Sequence, residues 1–197
     1  MGAFIVLEGI DGTGKTTVCR SAAEILRSEG YDAEAPFEPT DTGVGALIRS
    51  GAAGRISQRA ESLLFVADRI EHTDRIMRRV GEGAVVLCDR YYASTIAYQS
   101  ASLDGDSADE GWLEALSERF VGIPDAVILL DMDSGEALAR VGSRGEEGSK
   151  FEELRFLTQV RERYLELAGR YGFEVVDASR PREEVLADVM KIIREVL

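Results

Sequence analysis

The amino-acid sequence predicts an α/β protein with a five-stranded parallel sheet and helices on both faces. Five short runs rich in apolar residues alternate along the chain with longer segments of helical periodicity. The runs Ala84–Cys88 and Ala126–Leu130 are almost continuously apolar, as strands covered on both faces are. Strands that alternate with helices pair in parallel through right-handed crossovers, so a single covered sheet is expected.

The predicted elements follow one another in a regular order. The predicted strands are Ala3–Leu7, Tyr31–Ala35, Ala84–Cys88, Ala126–Leu130 and Phe173–Val176. Helical segments lie between them, among them Val18–Arg27, Gly135–Arg140 and Phe151–Tyr171. Ligands of such sheets bind at the carboxyl ends of the strands, so the residues that follow each strand are the first candidates for function.

The bulk composition favours one domain spanning residues 1–197. At 197 residues and 45% hydrophobic content, the chain can bury a substantial core without disulfides. Its net charge of −13 disfavours binding to nucleic acids or anionic lipids. Cys19 and Cys88 lie in apolar surroundings, which predicts buried thiols rather than a disulfide or a metal pair. With no apolar run of about 20 residues and no signal-like N-terminus, we expect a cytoplasmic protein.

The glycine-rich segment after the first strand, residues 9–16, has the pattern G-x-x-x-x-G-K-T. A strand that leads into such a turn and then into a helix directs free backbone N–H groups at a polyphosphate. Lys15 supplies a positive charge for the phosphates, and the hydroxyl of Thr16 can ligate Mg²⁺. The sequence therefore predicts a nucleoside triphosphate site.

A phosphate loop alone is compatible with GTPases, ATP-driven motors and small-molecule kinases. The chain contains no asparagine, which argues against GTPases that read guanine with an Asn-Lys-x-Asp motif. After the third strand, Asp89 is followed directly by Arg90. An aspartate that helps to hold Mg²⁺ beside an arginine suits the binding of a second, phosphorylated substrate close to the first.

Several segments together resemble thymidylate kinases. The most specific is the run 89–99, which matches D-R-Y-x-x-S-x-x-A-Y-Q. Further matches lie at residues 9–17, 38–41, 63–72 and 176–179, in the family's order and spacing over nearly the whole chain. The resemblance implies the P-loop nucleoside monophosphate kinase fold with a short lid. It also implies transfer of the γ-phosphoryl group of ATP to dTMP with Mg²⁺, giving ADP and dTDP for dTTP synthesis.

The resemblance assigns the acceptor site to residues from several parts of the chain. These are Asp11, Glu38, Pro39, Phe65, Arg69, Arg90, Ser94, Thr95, Tyr98 and Gln99. Phe65 would stack on thymine and Arg69 would bond its edge; their i, i+4 spacing on one helix face allows both to hold a flat base. Tyr98 resembles the aromatic residue that excludes a 2′-hydroxyl, and Pro39 would lie near the thymine methyl.

The resemblance also assigns the residues around ATP and the metal. The ATP-binding residues would be Gly9, Ile10, Asp11, Gly12, Thr13, Gly14, Lys15, Thr16, Thr17 and Arg140, with Arg140 stacked on adenine. The catalytic residues would be Lys15, Asp89, Arg90 and Arg144, and the metal site would use Thr16 and Asp89. Asp11 would accept the sugar 3′-OH or a metal-bound water. His72, the only histidine in the sequence, is expected to be structural rather than a proton carrier.

Two departures from the family pattern affect the expected phosphate contacts. Phe37 stands where many relatives have arginine just before Glu-Pro, and Arg49 is a candidate substitute. Gly12 stands where one branch of the family has an arginine inside the phosphate loop. The branch without that arginine uses basic lid residues, which Arg144 and Lys150 match. We therefore expect a lid at about residues 141–150.

Two alternatives stay open at the level of sequence: a P-loop kinase for another deoxynucleotide or nucleoside acceptor, and a nucleotide-binding module without turnover. The family resemblance further suggests a homodimer. The helix that carries Phe65 is the expected interface because it has a long apolar stripe, formed by Leu63, Val66, Ala67 and Ile70.

Overall fold

The computed structural model describes residues 2–52, 54, 56–102, 105, 107–120, 122–142 and 147–197. For residues 118, 120 and 147–150 it describes the backbone alone. Residues 143–146 of the predicted lid, including Arg144, therefore lie outside the described residues. Lys150 lies within a helix, and its side chain is not among those described.

The described part of the chain contains five strands and eight helices. In chain order they are β1 Ala3–Glu8, α1 Lys15–Ser28, β2 Ala33–Glu34, α2 Gly43–Ser50, α3 Gln58–Gly81, β3 Val85–Asp89, α4 Tyr92–Ser100, α5 Glu110–Phe120, β4 Ala126–Asp131, α6 Ser134–Val141, α7 Glu147–Tyr171, β5 Glu174–Asp177 and α8 Arg182–Val196. The strands form one sheet in the order β2-β3-β1-β4-β5, and every neighbouring pair is parallel. The predicted fold class and all five predicted strands are confirmed.

The strand bounds differ from the prediction mainly at the sheet edges. β2 is an edge strand of only two residues, because its ladder with β3 is limited to the pairs of Ala33 with Val85 and of Glu34 with Val86. Beyond it the chain keeps a looser attachment, through a single bridge from Phe37 to Asp89. β5 begins one residue late because the backbone N–H of Phe173 still bonds the end of α7, at 3.1 Å from the carbonyl of Ala168.

The central strand β1 is buried on both faces, which explains its continuous apolar sequence. Ile5 and Leu7 belong to the larger core cluster, which packs against α1, α4, α7 and α8. Phe4 and Val6 point to the other face and join a smaller cluster with Ile76 of α3. Successive residues of a strand point to opposite faces, so one strand serves both layers. The phosphate loop thus follows a central strand that is buried along its whole length.

Two further expectations concern side-chain burial. Cys19 and Cys88 are both free and buried, as predicted. The apolar stripe predicted on α3 is divided instead: Val66 is buried, whereas Leu63 is 50% exposed. None of the helices within the described residues combines the length and the hydrophobicity that crossing a membrane requires.

Candidate functional site

The phosphate loop connects the end of β1 to the first residue of α1, Lys15. Gly12 adopts φ 92°, and a Cβ atom at this position would collide with the carbonyl of Ala137 on α6. Only glycine satisfies both the backbone angle and the close approach of α6. The loop therefore holds its shape through tertiary contact as well as through its own sequence.

Lys15 is buried beneath this loop. Its Nζ donates to the carbonyl of Ile10 at 2.7 Å. Burial and the neighbouring Arg90 together lower the pKa of Lys15 to about 7, while nearby carboxylates including Asp89 and Asp11 oppose the shift. A bound polyphosphate would supply the negative charge that favours the protonated amine.

Thr16 and Asp89 face each other at the ends of α1 and β3. The Thr16 hydroxyl donates to Oδ2 of Asp89 in a short hydrogen bond. The other carboxylate oxygen, Oδ1, is buried and has no hydrogen-bond partner among the described residues. A hydroxyl beside an unpartnered carboxylate oxygen provides the hard oxygen ligands that Mg²⁺ prefers, so this pair fits the predicted metal.

A cavity of about 180 Å³ opens beside the phosphate loop. It is lined by Asp11, Glu38, Pro39, Phe65, Arg69, Arg90, Ser94, Thr95, Tyr98 and Gln99. These are the ten residues that the resemblance assigned to the acceptor site. They come from the phosphate loop, the segments that follow β2 and β3, α3, and α4, and the parallel sheet brings these parts together at its carboxyl edge.

Arg90 lies at the floor of this cavity in a left-handed backbone conformation, with φ 72°. Such a conformation is uncommon for a residue other than glycine and requires support from its surroundings. Its guanidinium donates to Oδ1 of Asp11 at 2.6 Å and to Oγ of Ser94 at 3.1 Å, and it lies over the ring of Tyr98. Arg90 is therefore directed at the space between the phosphate loop and the acceptor cavity.

Glu8 and Tyr164 lie beside Arg90 and its neighbour Ser94. Neither residue was predicted to belong to the site. Glu8 is fully buried, and its carboxylate accepts hydrogen bonds from the backbone N–H and the hydroxyl of Ser94 and from the hydroxyl of Tyr164. Burial raises the pKa of Glu8, and the bond from Ser94 opposes that rise. A charged residue that ends an otherwise apolar strand is the sequence signal for this arrangement.

Arg69 of α3 is held on three sides. Its Nε donates to Oε2 of Glu38 at 2.7 Å, and its Nη2 donates to the carbonyl of Tyr91 at 3.0 Å and to Oγ1 of Thr95 at 2.8 Å. The third nitrogen, Nη1, is buried without a hydrogen-bond partner among the described residues. An unpartnered buried donor on a cavity-lining residue indicates a ligand acceptor atom.

The segment that carries Glu38 is fastened to α3. Both oxygens of Asp68 accept bonds from Thr40, one from its backbone N–H at 2.7 Å and one from its hydroxyl at 2.6 Å. His72 adds a third connection, from its Nδ1 to Oε1 of Glu38 at 3.0 Å. Asp68 was not among the predicted site residues, although it lies beside Arg69 in the motif that carried the resemblance.

Tyr98 and Gln99 complete the cavity from α4. The hydroxyl of Tyr98 accepts from the backbone N–H of Asp11 at 3.1 Å, which ties the phosphate loop to the acceptor cavity. Its ring packs edge-on against Phe156 of α7. The Nε2 amide of Gln99 donates to a carboxylate oxygen of Glu61 at 3.2 Å. The side-chain carbonyl of Gln99 is thereby left available to the cavity as an acceptor.

A second cavity, of about 480 Å³, lies on the other side of the phosphate loop. Its lining includes Gly12, Thr13, Gly14, Thr17 and Arg140 from the predicted ATP site, together with the segment Ala178–Arg182 after β5. Arg140 donates to the carbonyls of Ala178 and Ser179 at 3.0 and 3.2 Å, which holds its guanidinium as one wall. Arg49, by contrast, lies over the ring of Phe37 at 4.9 Å.

Comparisons with known proteins point to one family. The family model described as thymidylate kinase matches residues 7–189. The chain is 41% identical to the probable thymidylate kinase of Pyrobaculum aerophilum over 198 residues, which cover 99% of this chain and 98% of the relative. It is 40% identical to that of Thermococcus onnurineus, with 98% of each chain covered, and 41% identical to that of Archaeoglobus fulgidus, with 98% and 96% covered.

Proposed function

This chain belongs to the thymidylate kinase family, and we propose which of its residues perform each part of the family's reaction. That reaction transfers the γ-phosphoryl group of ATP to dTMP and yields ADP and dTDP, a step of dTTP synthesis. The observation that carries the proposal is the cavity beside the phosphate loop, whose lining contains the ten acceptor residues and includes Asp11 of the loop itself.

The acceptor base binds between α3 and α4 in this proposal. Phe65 stacks on the thymine ring, and the free Nη1 of Arg69 donates to a carbonyl oxygen on the edge of the base. The absence of another partner for Nη1 among the described residues supports this assignment, since an unsatisfied buried donor is costly without a ligand. Thr95 and Gln99 offer further polar contacts to the base, and Pro39 closes the cavity near the methyl group.

The sugar and the phosphate of dTMP lie toward the phosphate loop. Arg90 binds the acceptor phosphate, and its position between Asp11 and Tyr98 supports that role. Asp11 accepts the 3′-OH or a metal-bound water. Tyr98 fills the space beside C2′, which leaves no room for a ribose hydroxyl.

The donor side uses the second cavity and the metal pair. Arg140 stacks on adenine, and the loop 9–17 binds the phosphates of ATP through its backbone N–H groups. Thr16 and Asp89 would hold Mg²⁺, which neutralises phosphate charge when it is bound. Lys15 lies at the same loop and contributes a further positive charge near the transferring group.

In this proposal the lid supplies one further positive charge for the transferring phosphoryl group. Residues 1–197 form one kinase domain, and the lid lies at about residues 141–150, between the last residue of α6 and the first turn of α7. Arg144, in the part of the lid outside the described residues, meets the transferring phosphoryl group. The proposal follows from Gly12, which carries no side chain to supply that charge from the phosphate loop.

We also propose a homodimer formed through α3. Leu63 and Met77 are 50% and 42% exposed on this helix, and the half-buried Ala67 and Ile70 lie between them at helical spacing. A row of exposed apolar side chains on one helix suits pairing with a second copy. Light scattering in solution tests the proposed mass. We place the enzyme in the cytoplasm, where ATP is available and the free thiols of Cys19 and Cys88 stay reduced.

A coupled assay of ADP production across a panel of acceptors tests the proposed site. The panel contains dTMP, dUMP, dCMP and thymidine, each with ATP and Mg²⁺. We expect the highest kcat/KM with dTMP, and no turnover of thymidine, because Arg90 requires an acceptor phosphate. Preference for thymidine over dTMP, or ATP turnover that no acceptor stimulates, would contradict the proposal.

A further inference from the structure

His72 is connected to the acceptor cavity through two other side chains. Its Nδ1 bonds Oε1 of Glu38 at 3.0 Å, and Oε2 of the same carboxylate accepts from Nε of Arg69 at 2.7 Å. All three side chains are almost fully buried, with exposed fractions of 6%, 3% and 3%. A carboxylate oxygen has no hydrogen to donate, so Nδ1 carries the hydrogen in this bond.

We propose that His72 is a positioning residue for recognition of the acceptor base. Its bond to Oε1 fixes the orientation of the Glu38 carboxylate, whose other oxygen bonds Nε of Arg69. The guanidinium then stays in the plane in which Nη2 bonds Thr95 and the free Nη1 is left for the base. The inference rests on the proposed function, in which Arg69 binds the edge of the base.

The reason lies in how carboxylates and guanidinium groups pair. When both carboxylate oxygens are available, they form a bidentate fork with two guanidinium nitrogens. Such a fork would use a terminal nitrogen of Arg69 in addition to Nε, and it would turn the guanidinium away from Tyr91 and Thr95. The hydrogen bond from His72 to Oε1 holds the carboxylate in the orientation in which Oε2 bonds Nε of Arg69. It therefore helps to keep the guanidinium in the orientation that leaves Nη1 for a ligand.

A metal ion is a less suitable explanation for the same cluster. Glu38, His72 and Cys88 bring ligand atoms within 4.8 Å of one another. The carboxylate of Glu38 is already paired with the positive charge of Arg69, and the thiol of Cys88 donates to the carbonyl of Arg90. Burial raises the pKa of Cys88 well above its ordinary value, which disfavours the thiolate that a metal would bind.

The ring of His72 is reached from the side opposite the acceptor cavity. A separate cavity of about 260 Å³ lies on the outer side of the segment 34–41, and its lining includes His72, Arg75 and Phe37. Substitutions of His72 therefore act on Glu38 from the side that faces away from the acceptor cavity, and they place no new side chain against the substrate. This geometry separates an effect on Arg69 from direct contact with dTMP.

The test compares His72→Phe with His72→Asn. Phenylalanine keeps a ring but donates no hydrogen bond, whereas the amide of asparagine can donate from nearly the position of Nδ1. For His72→Phe we expect KM for dTMP to rise roughly 10–100-fold, the range for losing a hydrogen bond to a charged group. KM for ATP should stay unchanged, and kcat should fall little. The preference for dTMP over dCMP should also decrease, because Nη1 is no longer aligned for a hydrogen bond to the edge of the base. His72→Asn should restore both parameters.

Ile76→Val is the matched control for lost packing, because Ile76 is buried one turn further along α3. It should lower Tm slightly and leave KM and base preference unchanged. In the double variant Glu38→Gln/His72→Phe, the effects on KM should be non-additive, as they are for residues that act through one bond.

Three outcomes would overturn the inference: an unchanged KM for dTMP in His72→Phe, a loss of kcat without a KM effect, or additive effects in the double variant. Arg69→Met separates this failure from failure of the proposed function. If Arg69→Met raises KM for dTMP and His72→Phe does not, only the role of His72 is wrong. If Arg69→Met leaves KM unchanged, the assignment of Arg69 to the base is wrong as well.

Discussion

The hydroxyl of Tyr164 on α7 donates a hydrogen bond of 3.1 Å to the carboxylate of Glu8 at the end of β1, although 156 positions separate the two residues. The same hydroxyl accepts from Arg90 at 3.3 Å, so it connects a buried carboxylate to a residue of the acceptor cavity. Helix α7 is thus linked through Tyr164 to Arg90, which lines the acceptor cavity. A movement of α7 near Tyr164 would therefore disturb Arg90.

Tyr164→Phe is expected to lower the free energy of unfolding by about 1–3 kcal/mol, the cost of leaving a buried acceptor such as the Glu8 carboxylate without one of its donors. Urea unfolding of the variant measures this loss. The control is Tyr31→Phe at a tyrosine that is 42% exposed, where a surface change should stay within about 0.5 kcal/mol. Equal small effects in both variants would mean that the bond to Glu8 does not contribute to stability.

Nucleotide binding is expected to take up a proton above neutral pH. The pKa of Lys15 is lowered to about 7 in the free protein, so at pH 8 its amine is mostly neutral. A bound triphosphate favours the charged form, and binding therefore draws a proton from solution. At pH 6 the amine is already charged and the uptake should largely disappear.

Calorimetry of ATP binding in buffers with different ionisation enthalpies measures this uptake. Lys15→Arg is the control, because a guanidinium stays charged throughout this range. The same uptake in Lys15→Arg as in the unsubstituted protein would assign the proton to another group.

Removal of the Phe65 ring should weaken dTMP binding and spare ATP binding. Stacking on an aromatic side chain is worth about 1–3 kcal/mol per base, so Phe65→Ala should raise Kd for dTMP correspondingly. Calorimetry with each nucleotide separately measures the two affinities. Equal losses for both ligands would show that Phe65 supports the fold rather than the base.

Two substitutions of Tyr98 distinguish its ring from its hydroxyl. Tyr98→Ala should raise activity on the ribo-analogue of dTMP relative to dTMP by roughly 10–200-fold, as expected where shape alone excludes a hydroxyl. Tyr98→Phe should leave that ratio unchanged, because it keeps the ring and loses only the group that Asp11 and Arg90 contact. The ratio of kcat/KM values is the measurement. If Tyr98→Ala does not change it, another residue excludes the ribose.

The lid arginine is expected to act in the chemical step. Arg144→Met should lower kcat by roughly 10²–10³-fold, the range for losing one preorganised transition-state donor, with little change in dTMP affinity. Steady-state kinetics with both substrates varied measures this, and Arg20→Met at an exposed position of α1 controls for the lost charge. Normal turnover in Arg144→Met together with inactive Lys150 or Arg140 variants would shift the assignment along the lid.

Local patterns were sufficient to predict the fold, and the family resemblance selected ten residues that line one cavity. Burial on both faces gives β1 and β3 a continuous apolar signal, whereas the edge strand β5 is mostly exposed and has a mixed sequence. Motifs that follow a strand must lie at the carboxyl edge of a parallel sheet, and this brought Asp11, Glu38 and Arg90 to one cavity. The edge strand β2 was overestimated because pairing on one side only supports a short ladder.

The contacts among the supporting side chains could not be predicted from the sequence. His72 was expected to be a structural residue, and only the folded chain shows that it shares the carboxylate of Glu38 with Arg69. Glu8 and Tyr164 likewise meet only when α7 packs beneath the sheet edge. The sequence by itself determined the elements, their order and the chemistry at the strand ends, because those depend on local periodicity and on short motifs. Tertiary structure alone decided which buried charges share a partner and how far the pKa of Lys15 falls, because desolvation and hydrogen bonding depend on surfaces that meet from distant parts of the chain.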